Sequence, residues 1–236
     1  MDRFEHQNNS IVQRAGESIQ IYMAQVYGWM TVGLLLTSFV AWYAINDRNI
    51  INYLETHGGI LIGLIISEFA LVTVLSFMLQ KLSGTIATAM FMLYSLLTGL
   101  TISLSLISYT GASIVSTFFT TAAMFGALSF YGYTTKHSLN GMGSFLFMLL
   151  IGLIVASLIN IWQKSFGLTM IITYLGVLIF SGLTAYDTQK LKEMGSQIDS
   201  RDQEGIRKHA IFGALNLYLD FINLFLIMLR IVNNRR

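Results

Sequence analysis

Apolar residues run along this chain in seven long blocks, at about 27–45, 60–79, 85–107, 112–133, 144–162, 168–187 and 210–230, separated by polar breaks. Each block comes close to the roughly 20 residues that an α-helix needs to cross about 30 Å of hydrocarbon. The blocks lack the alternation of a membrane β-barrel, and lipid admits only helices or closed barrels. The pattern therefore predicts an all-α fold, a polytopic membrane bundle of seven transmembrane helices forming a single domain over 27–236. Residues 1–26 are polar and mixed in charge (Asp2, Arg3, Glu5, Arg14, Glu17) and lack the apolar core of a signal peptide. They read as a short cytosolic tail, with an amphipathic stretch from Ser18 to Val26 lying at the interface. The one long connection, 188–209, is charged and reads as a cytosolic loop.

Composition supports a bilayer as the solvent. Of 236 residues, 54% are hydrophobic and 11% charged, whereas an ordinary soluble domain carries roughly 25% charged residues. The absence of Cys excludes disulfides, thiolate metal sites and Cys nucleophiles. The absence of Pro assigns helix breaks to Gly or Ser/Thr. A net charge of +2 argues against nucleic acid as a partner.

Lys and Arg set the expected orientation. With seven spans and the N-terminus inside, nine cations fall inside and five outside, five of the nine being Lys190, Lys192, Arg201, Arg207 and Lys208 in the 188–209 segment. If the last segment enters and leaves on one face, Arg230, Arg235 and Arg236 move inside and the tally becomes 12 against two. Both counts put the N-terminus in the cytosol, and charge alone leaves both places open for the C-tail.

Small residues at four-residue spacing, Ser95 and Gly99 in the third span and Gly152, Ala156 and Asn160 in the fifth, are candidates for close helix contacts. Tyr27, Trp29, Trp42, Tyr43, Tyr131, Tyr133 and Trp162 lie near span ends and read as interfacial belts.

Three acids fall within the spans: Glu68 in the second, Asp187 at the end of the sixth and Asp220 in the seventh. An ionised carboxylate is costly there, so each must be protonated, paired or set on a water-filled path. Steps of three and four through Asp220 give His209, Gly213, Asn216, Asp220, Asn223, Ile227 and Arg230, a polar stripe on one face of the last helix. The stripe fits a buried helix lining an ion path; it also fits amides that hold Asp220 as a neutral structural acid. Asp187 by itself is a helix-end acid, but two carboxylates that meet share a proton and titrate as a pair, which can sense pH. Glu68 fits either a structural acid or a second ion station. Lys81, at the end of the same span, is a candidate tether for Asp187. His6, His57, His137 and His209 are too scattered for a metal cluster, and only His209 lies on the stripe.

The runs LTAYDTQ (Leu183 to Gln189) and GALNLYLDFINLFLIMLR (Gly213 to Arg230), with YMAQVYGWMTVGLLLT (Tyr22 to Thr37), resemble the Bax inhibitor-1, or transmembrane Bax inhibitor motif, family, and most of all its bacterial inner-membrane members. The resemblance implies a seven-helix bundle with the last helix central. It also implies a pH-sensitive passive calcium leak, with Asp187 and Asp220 as the proton sensor. Hard cations choose oxygen ligands, for which Asp187, Asp220 and Glu68 are the candidates, and no cofactor is expected. A described family member holds the sixth-helix aspartate closed with an arginine late in the second helix. This chain has no Arg there, and Lys81 cannot make the same bidentate fork.

Other readings compete. Two intramembrane aspartates, the first preceded by Tyr186, resemble the presenilin-type proteases, but those carry a Gly-x-Gly-Asp run and a Pro-Ala-Leu run. Here Asp220 follows Leu217-Tyr218-Leu219 and Pro is absent, so the chain reads as a non-enzyme. A regulatory protein in lateral contact with another membrane protein, such as a membrane protease, and a Ca²⁺/H⁺ exchanger remain alternatives.

Overall fold

The computed structural model describes residues 2–198 and 202–233, and Arg201, Arg235 and Arg236 of the charge tally lie outside them. The described residues form eight α-helices and no strand: α1 Asp2–Asn46, α2 Arg48–Thr56, α3 Gly58–Phe77, α4 Gly84–Leu106, α5 Gly111–Thr134, α6 Asn140–Gln163, α7 Phe166–Gly195 and α8 Gln203–Asn233. Seven of them, all but α2, are long and apolar enough to cross a membrane.

The four middle blocks agree with the helices to within a few residues, and the ends differ. The first span-forming segment is Gly16–Asn46, and α1 runs without a break from Asp2. Within the segment expected as a tail, Tyr22, Met23 and Val26 are buried. The expected 188–209 loop is mostly helix, because α7 continues to Gly195 and α8 starts at Gln203. Hydropathy follows contact with lipid, whereas helix propensity does not stop at the interface; Lys and Glu are good helix formers in water.

Without proline, helix starts are set by side-chain oxygens that accept from free amides of the first turn. Asp47 caps α2 through Asn49 N (2.9 Å), Ser83 caps α4 through Ile86 N (3.3 Å) and Thr110 caps α5 through Ser113 N (3.2 Å). α6 ends on Lys164 in the left-handed conformation (φ 48°), where Asn160 Oδ1 accepts from Ser165 N at 3.1 Å and Asn160 Nδ2 donates to Thr169 Oγ1 at 2.7 Å.

The chain divides into two compact units, 1–108 with 193–218 and 109–192 with 219–236. In the first unit α1 packs along α4. Ser95 and Gly99 stand at that contact as expected, and a Cβ on Gly99 would lie 2.9 Å from Thr37 O. In the second unit Leu146, Ile179, Phe180, Leu183 and Leu224 form the core. Gly152 there faces open space, whereas Asn160 of the same small-residue stripe meets α7 through Thr169. The last helix is the most buried of the seven, with 61% of its apolar window covered against 6% for α3 and 11% for α6. Trp42, Tyr43, Tyr131 and Trp162 point outward near span ends, as belts do.

Candidate functional site: an aspartate pair in the second unit

Asp187 on α7 and Asp220 on α8 both belong to the second unit, and their carboxyls face each other within hydrogen-bonding range. Asp220 is 4% exposed, and its Oδ2 is buried without a hydrogen-bond partner. Asp187 is half-buried. Two carboxylates so placed repel when both are ionised and attract when they share one proton.

Glycines let α7 seat Asp187 at this level. A Cβ on Gly132 of α5 would fall 2.2 Å from Ala185 O, and one on Gly143 of α6 would fall 2.3 Å from the Tyr186 ring. Neither neighbour leaves room for any larger residue. Polar contacts then fix the turn that follows Asp187. The hydroxyls of Thr188 and Ser129 lie 3.0 Å apart. The buried Gln189 accepts from Leu139 N (2.7 Å) and donates to His137 O (2.9 Å), pinning the α5–α6 connection. Lys192 Nζ donates to Tyr133 O at 2.8 Å and sits 5.0 Å from the centre of that ring. On the α8 side, Phe221 packs edge-on against Phe118 and Phe125 of α5, with both centroids at 5.5 Å. One aspartate is thus held on a tightly pinned helix and the other beside an aromatic cluster.

Further buried oxygens of this unit make no protein hydrogen bond: Thr117 and Thr121 Oγ1 on α5 and Ser181 Oγ on α7. Hard cations are held by oxygen ligands of these kinds. No group of three or more acids, His or Cys able to hold a metal occurs among the described residues.

The other candidates are distributed differently. Lys190 stands one turn beyond Asp187 on α7, and Lys81 is exposed on the 3₁₀ turn Leu79–Lys81 of the first unit. On the α8 stripe, Asn223 donates to Leu219 O (2.8 Å) and the His209 ring nitrogen bonds Gly205 O (2.8 Å), both within their own helix. Asn216 is half-buried in the first unit. Glu68, also in the first unit, is half-buried and accepts from Thr101 Oγ1 at 2.6 Å. That unit has a second buried polar contact that the residue pattern did not announce: the Tyr218 hydroxyl lies 2.6 Å from Thr37 Oγ1, which donates to Ser95 O at 2.9 Å. Gln189 and Tyr218 were legible only as neighbours of the two signature aspartates.

The chain is similar over its whole length to known membrane proteins. The family model described as Inhibitor of apoptosis-promoting Bax1 matches residues 19–236. The inner membrane protein YbhL of Escherichia coli K12 is 62% identical over 236 residues, all of both chains. A protein of Borreliella burgdorferi is 43% identical over 215 residues, covering 91% of this chain and 92% of its own. A membrane protein of Streptococcus pyogenes serotype M1 is 36% identical over 212 residues, covering 89% and 91%. A family match over nearly the full length, joined to seven apolar helices and the aspartates of both signature runs, establishes that the chain belongs to the Bax inhibitor-1 family.

Proposed function

We propose that this protein is a passive, pH-sensitive leak for Ca²⁺ or a similar cation in the bacterial inner membrane, with the N-terminus in the cytosol. The observation that carries the reading is the facing of the Asp187 and Asp220 carboxyls on two membrane helices. A shared proton holds α7 to α8; its loss sets two negative charges against each other and offers oxygens to a hard cation. The unpartnered oxygens of Thr117, Thr121 and Ser181 support the path. Lys190, one turn along α7 from Asp187, adds a positive charge on the same helix, and Lys81 stays a candidate latch that makes no bidentate fork. The inner-membrane location rests on the name of the E. coli relative and on the apolar helices. The excess of Lys and Arg in the 188–209 segment supports the orientation.

Ca²⁺ efflux from liposomes that contain only the purified protein tests the reading. Flux down the Ca²⁺ gradient is expected without any protein partner. Efflux equal to that of empty liposomes would reject the leak in favour of a regulator of other membrane proteins, and Ca²⁺ driven uphill by a proton gradient would replace it with an exchanger.

A further inference from the structure

The first unit carries a second polar site, separate in residues from the aspartate pair. A cleft of about 670 Å³ is lined by Gln25 and Trp29 of α1, Gly84 and Thr85 of α4, and Glu204 and Arg207 of α8. Arg207 stands over the Trp29 ring, 5.9 Å from its centre, and its Nε is buried without a hydrogen-bond partner. Gly84 keeps the arginine there, since a Cβ would lie 3.3 Å from Arg207 Cδ. Glu204 faces the same cleft and accepts from Gly84 N at 3.4 Å. α4 starts at Gly84 and α8 at Gln203, so the cleft lies at the first turns of two helices long and apolar enough to cross a membrane.

A guanidinium with an unused donor selects phosphate. A carboxylate in the same cleft repels a simple anion and selects a cation that can donate hydrogen bonds. Gln25 and Thr85 add neutral donors and acceptors. We propose that this cleft binds a phosphodiester bearing a primary ammonium, the chemistry of a phosphoethanolamine headgroup, with the phosphate on Arg207 and the ammonium toward Glu204. A purely anionic headgroup leaves Glu204 opposed, and a trimethylammonium group offers it no N–H.

The full chain with Trp42→Phe and Trp162→Phe leaves Trp29 as the sole tryptophan, and both replaced residues are exposed. In nanodiscs of phosphatidylcholine, Trp29 emission is followed as phosphatidylethanolamine or phosphatidylglycerol is added, and separately as soluble glycerophosphoethanolamine is titrated. The expected result is a saturable change with phosphatidylethanolamine at a lipid fraction at least about tenfold below any response to phosphatidylglycerol, with Arg207→Gln weakening it about tenfold. Glu204→Gln is expected to bring the two lipids to similar affinity, a change of preference that misfolding does not produce. Saturation by the soluble compound as well supports the site and identifies a free headgroup as a second source; response to the lipid alone supports the site and identifies the membrane. An emission that does not saturate, equal responses to the two lipids in the parent, or an unaltered response in Arg207→Gln would overturn the proposal.

Discussion

Gly132 of α5 lies so close to Ala185 of α7 that a Cβ would fall 2.2 Å from the Ala185 carbonyl oxygen. The contact is backbone against backbone, two residues before Asp187, so the position of Asp187 is set by a glycine on another helix. Gly132→Ala must move α5 from α7, with an expected loss of about 1–3 kcal/mol by overpacking. Gly126→Ala, on the open side of the same helix with nothing within 4 Å, is the matched control and leaves stability unchanged. Denaturation of the two variants in detergent checks this; equal stability would mean that the helices part without cost.

Gln189 joins α7 to the α5–α6 connection through two hydrogen bonds. Gln189→Leu leaves the buried Leu139 N–H without its partner, a cost of about 1–3 kcal/mol. Hydrogen exchange at the Leu139 amide is expected to accelerate, and exchange at the parent rate would show that the clamp is dispensable.

Spans were legible wherever apolar residues meet lipid, and so the middle helices agree with the blocks to within a few residues. The ends were not, because the continuation of α7 through Lys190 and Lys192 to Gly195 depends on helix propensity and on the contacts of Gln189 and Lys192, to which hydropathy is blind. Asp187 and Asp220 stood out as charges in lipid, but they lie 33 positions apart across a connection, so the residues alone offered their pairing as a condition and the family resemblance assigned it. The polar stripe on α8 admits a second account, since a short amide or imidazole can bond the preceding turn, as Asn223 and His209 do. Periodicity cannot separate that from a lined path.

In the first unit Thr37 joins Tyr218 to Ser95 O, and Tyr218 is fully buried between Phe91 and Tyr94, whose ring centroids lie at 5.8 and 5.7 Å. Thr37→Val and Tyr218→Phe remove the two ends of one bond, and a double-mutant cycle is expected to give a coupling of about 1 kcal/mol. Additive losses would place the stabilisation in ring packing instead.

The central claim is that one proton shared by Asp187 and Asp220 controls cation flux, and the most direct measurement is Ca²⁺ efflux from liposomes over a pH series for the parent, Asp187→Asn and Asp220→Asn. Lowering the pH supplies the shared proton and raising it removes the proton. An asparagine amide donates to the remaining carboxylate as that proton does, at every pH. The parent flux is therefore expected to change several-fold with pH, while each Asn variant stays at the parent's acid-limit value throughout the series. Variants that follow the parent's pH profile, or a parent whose flux ignores pH, would contradict the account.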